Sequence, residues 1–278
     1  MEQKIDRKRI GSSFNRQAGE YDRHAEVQKR VVDRLVSLVG GHLCHIPNTI
    51  LDVGCGTGQL LAALNGRYPE AVLNGLDLAH AMLTCSCRRL GSGACLVNGD
   101  AEQLPYRDAC IDLLVSTSTL QWLDSLEPFF LEAERVLAPE GLLCAAFFGG
   151  QTLHELHECL REASETRSCC SSGEQYVDRL HRFKERAELE KALERSGFDR
   201  AVVLSDIEME QYADVFDLLR TIKRIGAGTT ARRGETAGLG WKSVMQETAR
   251  LYDRRYGVAG RIPATYEVFY VVAEKKRR

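Results

Sequence analysis

The chain has 278 residues, of which 44% are hydrophobic and 27% charged, and its formal net charge is −2 at pH 7. This is enough for one large core, or for one domain with a lid. The charged N-terminus lacks the apolar segment of a secretory signal, and no apolar run approaches the roughly 20 residues of a membrane span, so we expect a cytoplasmic protein.

Ten cysteines raise the question of a disulfide framework or a zinc site. Their spacing argues against both, because no Cys-x-x-Cys pair occurs and Cys169 and Cys170 are adjacent. Most lie in apolar stretches, which is typical of small core residues in a reducing compartment. The segment His154-Glu155-Leu156-His157 misses the zincin spacing by one residue, so we expect no metal site.

The first predicted element is a mostly helical segment from Phe14 to about Val39. Apolar residues recur at spacings of three and four positions between Val27 and Leu38. This periodicity predicts an amphipathic helix with one buried face.

Residues 50–58 read Ile-Leu-Asp-Val-Gly-Cys-Gly-Thr-Gly, a short apolar strand that runs into three glycines. Gly54, Gly56 and Gly58 permit a sharp turn and let a ligand lie against the backbone. The helix that follows would point its N-terminal amides at that ligand. Asp52, just before the turn, places a carboxylate where it can meet a positively charged group.

A dinucleotide site is the obvious alternative, and the spacing of the glycines decides between the two. The dinucleotide fingerprint, Gly-x-Gly-x-x-Gly, would need a glycine at position 59, where the chain has Gln59. The observed Gly-x-Gly-x-Gly pattern resembles instead the first motif of class I S-adenosylmethionine (SAM) methyltransferases.

The next predicted strand runs from Ala71 to Leu76 and is followed by Asp77. A carboxylate at this strand tip can accept hydrogen bonds from both ribose hydroxyls of an adenosine. NAD enzymes place an acid similarly, so Asp77 indicates a nucleoside and not SAM in particular. The alternative is a helix N-cap before a helix from Leu78 to Leu90.

A third strand, Ala94 to Val97, leads to residues 98–102, which read Asn-Gly-Asp-Ala-Glu. In the methyltransferase fold this loop closes on adenine, with Asp100 accepting from the exocyclic amine and the Ala101 amide facing the ring. A plain turn is the alternative.

A fourth strand, Ile111 to Val115, leads to residues 116–122, where the methionine half of SAM and the acceptor usually meet. Further helices are predicted over Ser125–Leu137, Thr152–Ala163, Lys184–Ser196, Val215–Ile225 and Trp241–Tyr256, further strands over Leu142–Phe148, Ala201–Ser205 and Thr265–Ala273, and a loop over Ser168–Gly173. Strands that alternate with helices predict a parallel sheet with its ligand at the carboxyl ends of the strands.

Four further blocks make the similarity more specific. They read Phe-Asn-Arg-Gln-Ala-Gly-Glu-Tyr-Asp from Phe14, Phe-Gly-Gly-Gln-Thr-Leu-His-Glu-Leu from Phe148, Leu-Arg-Thr-Ile-Lys-Arg-Ile-Gly-Ala from Leu219, and Pro-Ala-Thr-Tyr-Glu-Val-Phe-Tyr from Pro263. These blocks resemble the malonyl-acyl-carrier-protein O-methyltransferases of biotin synthesis, the BioC family, and the similarity spans roughly residues 14–274. The last two blocks discriminate this family from other methyltransferases, although the match after Gly226 is loose.

The resemblance implies an α/β fold of the Rossmann-like class I methyltransferase type. Its sheet would be seven-stranded and mostly parallel, with helices on both faces and a helical lid. Within a single domain, residues 1–40 would form an N-terminal helical cap and residues 41–150 the SAM-binding core. Residues 151–278 would supply the rest of the sheet and a lid or substrate-binding insertion.

The resemblance also implies a reaction, transfer of the SAM methyl group to the free carboxylate of malonyl-[acyl-carrier protein] on the route to pimeloyl esters and biotin. With an unperturbed pKa of about 4, that carboxylate is already ionised near pH 7, so no catalytic general base is expected. The partner would be an acyl carrier protein bearing malonyl-phosphopantetheine, or malonyl-CoA, and neither nucleic acid nor a membrane.

Charge supports an acidic partner. Residues 220–278 contain 14 Lys and Arg against 5 Asp and Glu, a net charge of +9. Such a segment can steer an acidic carrier protein, although an ordinary solvated face is the alternative. These basic residues lack the interleaved aromatic side chains of a nucleic-acid platform.

Site residues follow from the motifs and the resemblance. By family analogy, Tyr21 would fold over the cofactor, and Lys223 with Arg224 would guide the phosphopantetheine phosphate or the carrier protein. The expected cofactor-binding residues are Arg16, Tyr21, Asp52, Gly54, Cys55, Gly56, Gly58, Asp77, Leu78, Met82, Asp100, Ala101, Glu102 and Ser116. The expected substrate-binding residues are His24, Gln121, Trp122, Lys223, Arg224 and Tyr266.

Two other functions remain open from the sequence alone. One is a methyltransferase for a small free carboxylic acid such as an aconitate, which would not require a basic C-terminal segment. The other is a non-catalytic SAM-binding partner protein, which the intact Asp77 and Asp100 argue against.

Overall fold

A computed structural model describes residues 6–167, 180–227 and 239–277 of the chain. The strands are β1 Thr49–Val53, β2 Val72–Asp77, β3 Ala94–Asn98, β4 Ile111–Thr117, β5 Leu137–Phe148, β6 Arg200–Tyr212 and β7 Ile262–Glu274. The helices are α1 Arg7–Gln17, α2 Tyr21–His24, α3 Glu26–His42, α4 Gln59–Arg67, α5 His80–Leu90, α6 Glu127–Val136, α7 His154–Arg167, α8 Arg186–Arg195, α9 Val215–Arg224 and α10 Leu239–Tyr256. None of the helices in these three ranges is long and apolar enough to cross a membrane.

The strands form one seven-stranded sheet with the order β3-β2-β1-β4-β5-β7-β6. Strands β1 to β5 pair in parallel, whereas β7 is antiparallel to both β5 and β6. The predicted mostly parallel class I methyltransferase sheet is therefore confirmed. The chain reverses its direction of winding between β1 and β4, and ligands of open α/β sheets bind at such a switch point.

The sheet separates two hydrophobic cores, because successive residues of a strand point to opposite faces. In β4, Leu113 and Val115 face the core beneath α3, α4, α7 and α10, and Leu114 faces the core beneath α6 and α8. All three side chains are fully buried. Burial on both faces explains why the central strands read as nearly continuous apolar runs.

The N-terminal cap, α1 to α3, is a series of three helices and not one continuous helix. The Asp6 side chain caps α1 by accepting a hydrogen bond from the Arg9 N–H at 3.1 Å. A single turn, α2, carries Tyr21, and α3 buries Val31 and Leu35 against the sheet. The break between α1 and α3 lets Tyr21 lie over the switch point.

Strand β6 is much longer than the predicted Ala201–Ser205, because it pairs along its whole length with β7. In the added part, acidic residues alternate with other residues, and their side chains form ion pairs with α3. Arg30 donates to Glu208 at 2.7 Å and to Glu210 at 3.0 Å, and Arg34 to Asp206 at 3.3 Å. The acidic face of this strand is therefore neutralised by a helix that is distant in the sequence.

Strand β5 begins at Leu137, five residues before the predicted start at Leu142. Residues 138–141, which the prediction left between a helix and a strand, lie inside this strand as an irregularity. Leu137 pairs with Ile111, but Leu142 pairs with Leu113, so the register shifts between the two pairs. The predicted loop at Ser168–Gly173 lies outside the described residues.

Candidate active site

The loop after β1 forms one side of a cavity of about 110 Å³ at the switch point, which we call the glycine-loop chamber. Gly54 and Gly56 line it, with φ of +75° and +54°. A Cβ at Gly54 would lie 2.0 Å from the Thr119 Oγ1 atom, so packing excludes a side chain there. A Cβ at Gly56 would meet no atom within 4 Å. At Gly56 the positive φ and the ligand space, and not protein packing, favour glycine.

Asp77 lies at the tip of β2 and also lines this chamber. Its Oδ2 atom accepts a hydrogen bond from the Gly56 N–H at 2.8 Å and its Oδ1 atom one from the Ala79 N–H at 2.7 Å. Burial raises the pKa of Asp77 to about 6, although these two hydrogen bonds oppose the shift. Each carboxylate oxygen keeps acceptor capacity for a hydroxyl group. Asp77 therefore holds the turn before α5 and can still bind a ribose.

Asp52 is buried beneath the loop and is 1% exposed. Within the described parts of the chain its Oδ1 atom has no hydrogen-bond partner. Burial raises the pKa of Asp52 well above its usual range, and the negative charge of Asp77 adds to the shift. Asp52 does not line the glycine-loop chamber, but it directly precedes Val53 and Gly54, and its orphaned oxygen would suit a positive group of a ligand if the loop gave access to it.

The far end of the chamber is formed by the loop after β3. Gly99, Asp100 and Ala101 line it. The Asp100 Oδ1 atom accepts a hydrogen bond from the Glu102 N–H at 3.0 Å, and Arg7 of α1 forms ion pairs with both acidic side chains. The start of the N-terminal cap thus closes the predicted adenine end.

A second anchor ties the N-terminal cap to the glycine loop. The Asp22 Oδ1 atom accepts hydrogen bonds from the Thr57 hydroxyl at 2.7 Å and from the Gln59 side chain at 2.8 Å, and its Oδ2 atom accepts one from Arg89. Tyr21, the preceding residue, lines the chamber. Burial, together with the nearby Asp22 and Asp77, raises the pKa of Tyr21, so its hydroxyl stays protonated.

Beside this chamber lies a second cavity of about 370 Å³, which we call the apolar chamber. Both chambers are lined by Phe14, Tyr21, Ser118 and Trp122, which form their shared wall. Most of the remaining lining is apolar, and it includes Phe148, Leu153, Leu156, Phe183, Leu219, Ile222 and Trp241. A group bound in the glycine-loop chamber and a group bound in the apolar chamber can therefore approach each other at these four residues.

Two histidines line the apolar chamber. The His181 Nε2 atom lies 3.0 Å from the Gln121 carbonyl oxygen, and its ring centroid lies 4.5 Å from that of Trp122. Because the carbonyl only accepts, Nε2 carries the hydrogen. Burial lowers the pKa of His181 to about 4 and also lowers that of His157, so both rings are neutral at neutral pH.

The lining of the apolar chamber also contains polar atoms without partners among the described residues. Ser118 has a φ of +55°, which is uncommon for a residue with a side chain. Within the described residues, its Oγ atom and the Gln121 Oε1 atom are buried without a hydrogen-bond partner, although the Gln121 amide donates to the Ser118 carbonyl at 2.8 Å. These atoms remain available to a ligand in the apolar chamber.

The expected substrate-binding residues fall into three groups. Gln121, Trp122, Lys223 and Tyr266 line the apolar chamber. His24 lines an adjoining pocket that shares Gln28, Ile222, Ile225 and Tyr266 with the apolar chamber. Arg224 is exposed and lies outside both linings.

The expected cofactor-binding residues that line the glycine-loop chamber are Tyr21, Gly54, Gly56, Asp77, Leu78, Met82, Asp100 and Ala101. Others support the chamber from behind. The Ser116 hydroxyl donates to the Val53 carbonyl at 2.7 Å, Gly58 precedes α4, and Cys55 is buried. Arg16 is exposed and does not line the chamber.

Sequence reasoning gave no cofactor role to Arg7, Ile10, Phe14 or Asp22, although the structure brings all four to the site. Phe14 and Asp22 lie in the first family-like block, which was the available signal. Arg7 and Ile10 precede that block, and nothing in their local pattern marks them.

Residues 51–145 match the family model described as a methyltransferase domain. The chain is 44% identical over 273 residues to the malonyl-[acyl-carrier protein] O-methyltransferase of Geobacter sulfurreducens, covering 98% of this chain and 100% of that protein. It is 30% identical to the biotin biosynthesis bifunctional protein BioHC of Teredinibacter turnerae, covering 97% of this chain and 47% of that protein.

Among solved structures, the chain resembles a SAM-dependent methyltransferase of Thermotoga maritima with a TM-score of 0.54. The alignment covers 96% of this chain and 100% of that chain at 18% identity. At this identity the likeness shows the fold alone.

Proposed function

The chain belongs to the malonyl-[acyl-carrier protein] O-methyltransferases, and we propose that it transfers the SAM methyl group to the free carboxylate of a malonyl group on acyl carrier protein. The observation that carries this proposal is the shared wall of Phe14, Tyr21, Ser118 and Trp122. It separates a chamber with nucleoside-binding features from an apolar chamber that suits an acyl thioester.

Residues that line or underlie the glycine-loop chamber offer binding partners for SAM. Asp77 has acceptor capacity for the ribose hydroxyls, and Asp100 with Ala101 lies at the adenine end. The orphaned Asp52 oxygen suits the methionine ammonium. When bound, SAM supplies an electrophilic methyl group on a positively charged sulfur atom.

The residues of the chain then have two tasks, alignment of the acceptor and exclusion of water. An ionised carboxylate attacks without losing a proton, so no side chain has to act as a general base. The contacts of Arg7 with Asp100 and of Asp22 with Thr57 hold the N-terminal cap over the site. Tyr21 and Trp122, which line both chambers, would then flank the reacting groups.

The carrier-protein partner is supported by the charge of the C-terminal segment. Residues 220–278 carry a net charge of +9. Helix α9 ends within this segment and lines the apolar chamber with Leu219 and Ile222. An acidic carrier protein that docks there would point its phosphopantetheine arm toward the apolar chamber.

The test offers radiolabelled SAM with malonyl-carrier protein, malonyl-CoA, free malonate and free aconitate in parallel. We expect base-labile label on the malonyl thioesters. Label on aconitate and none on any malonyl thioester would favour the small-acid alternative. Tight SAM binding without transfer to any acceptor would favour a non-catalytic partner protein.

A further inference from the structure

Lys223, near the end of α9, is the one lysine, arginine, aspartate or glutamate among the described residues that line the apolar chamber. We infer that its ammonium group binds the carboxylate of the acceptor inside this chamber. Lys223 would then select acyl groups that end in a carboxylate. This inference rests on the proposed function and differs from docking of the carrier protein or of the pantetheine phosphate.

Lys223 is exposed to solvent although it lines the chamber, and its ammonium is available for such a contact. Within the described residues it has neither a carboxylate partner nor a hydrogen-bond partner. Two other cations, Lys184 and Arg220, are already engaged. Lys184 donates to the Asp124 carbonyl at 2.6 Å, and Arg220 of the same helix pairs with Asp217 at 3.5 Å.

An acceptor carboxylate needs such a partner in this environment. Transfer of an unpaired carboxylate into an apolar chamber is costly, and the group responds by taking up a proton. A protonated malonyl group would lose the charged oxygen that attacks the methyl group. The other titratable side chains facing the chamber are Tyr21, His157, His181 and Tyr266, and none of them supplies a positive charge at neutral pH.

The chemistry of lysine suits this task better than that of arginine. A guanidinium group engages both oxygens of a carboxylate in a planar fork. An ammonium group is a compact point charge on a flexible stem, so it can hold one oxygen and leave the other free. The acceptor thus keeps a nucleophilic oxygen.

The end of α9 is also fixed at the wall that the two chambers share. Gly226 follows the helix with a φ of +80°, and a Cβ there would lie 2.8 Å from the Phe14 Cδ1 atom. Phe14 lines both chambers. Lys223 lies three residues earlier, which is about 5 Å along a helix. Its side chain therefore starts close to the wall where the carboxylate has to arrive.

The test compares Lys223→Gln with Arg220→Gln, a matched loss of one cation on the same helix outside the chamber lining. Two acceptors are used, malonyl-carrier protein and malonyl-pantetheine, which lacks both protein and phosphate. We expect Lys223→Gln to lower kcat/KM by the same factor on both acceptors, roughly 10- to 100-fold, the range for a lost charge-assisted hydrogen bond. Arg220→Gln should leave the value for malonyl-pantetheine unchanged.

Two further readouts separate this role from a merely structural one. In Lys223→Gln the acid limb of the kcat profile, which reports ionisations in the enzyme–substrate complex, should move to higher pH, because the bound carboxyl group is protonated more easily. By calorimetry, wild type should bind malonyl-pantetheine at least 10-fold tighter than its methyl ester, and Lys223→Gln should lose this preference. SAM affinity should stay the same in both variants.

A loss confined to malonyl-carrier protein would overturn the inference and assign Lys223 to docking. Unchanged kinetics of Lys223→Gln on malonyl-pantetheine would overturn it as well. If wild type methylates neither acceptor, it is the proposed function that fails, so the two failures are distinguishable.

Discussion

Apart from four residues of the N-terminal cap, the described lining of the glycine-loop chamber comes from residues 54–123, at and just after the carboxyl ends of β1 to β4. The apolar chamber draws on α3, α7, α9, α10 and β7, and its described lining extends from Phe14 to Tyr266. Carboxylates and their hydrogen bonds to backbone amides shape the glycine-loop chamber, whereas packed side chains shape the apolar chamber. The difference indicates that cofactor binding and acceptor selection can be changed independently, except at the shared wall.

The largest effect, a loss of stability, is expected for Gly54→Ala in the glycine loop. The new Cβ would collide with Thr119, and the positive φ adds strain. We expect a loss of about 2–5 kcal/mol of unfolding free energy, since overpacking costs about 1–3 kcal/mol and a left-handed alanine about 1–2 kcal/mol. Chemical denaturation measures it.

Gly56→Ala is the matched control, because the same substitution there meets no atom within 4 Å. It should cost only about 1–2 kcal/mol of stability, from the positive φ, but should weaken SAM binding. Equal losses of stability in both variants would contradict the packing argument.

The next effect separates the chambers directly. Asp77→Asn should weaken SAM binding by about 1.5–3 kcal/mol, the range for hydrogen bonds to a charged group. At saturating SAM, the KM for malonyl-carrier protein should not change. Calorimetry and steady-state kinetics measure the two quantities. An unchanged SAM affinity in a folded variant would refute the ribose role.

Asp77 also predicts a pH dependence. Its folded pKa of about 6 lies above the ordinary value of about 4, so the folded protein takes up the proton more readily than the unfolded chain. The stability contributed by this protonation is full below about pH 4 and is lost as the pH rises through about 6. In the absence of SAM, the unfolding free energy of Asp77→Asn relative to wild type should therefore be higher at pH 7.5 than at pH 4.5. Chemical denaturation at the two pH values measures this difference, and the opposite trend would contradict a raised pKa for Asp77.

A smaller effect tests the apolar chamber. The hydroxyl groups of Tyr212 and Tyr266 lie 2.9 Å apart, and only Tyr266 lines that chamber. Tyr212→Phe and Tyr266→Phe each remove this hydrogen bond, so each should cost about 0.5–1.5 kcal/mol of stability. Only Tyr266→Phe should change the KM for the acceptor, and neither should change SAM affinity. An altered acceptor KM in Tyr212→Phe would show that the effect is structural.

The smallest effect is expected at Arg224, which is exposed and lines neither chamber. Arg224→Glu should slow turnover on malonyl-carrier protein at low salt, because surface charge acts mainly on association rate. Exposed charges contribute about 0.2–1 kcal/mol and are screened by salt. Turnover on malonyl-pantetheine should not change. A salt-independent loss on both acceptors would mean that Arg224 acts within the site.

The sequence predicted the glycine-loop chamber better than the apolar chamber, for a physical reason. Gly54, Asp77 and Asp100 follow strands of one parallel sheet, so motifs that are local in sequence meet in space. Asp22 and Arg7 act on partners 35 and 93 positions away, and local patterns carry no trace of that pairing. The length of β6 was missed for the same reason, because its pairing depends on β7.

The most direct test of the account is mass spectrometry of malonyl-carrier protein after incubation with enzyme and SAM, with fragmentation of the phosphopantetheine arm. We predict a mass gain of one methylene, which fragmentation locates on the malonyl carboxylate. An unmodified arm, or a methyl group on a carrier-protein side chain, would contradict the account.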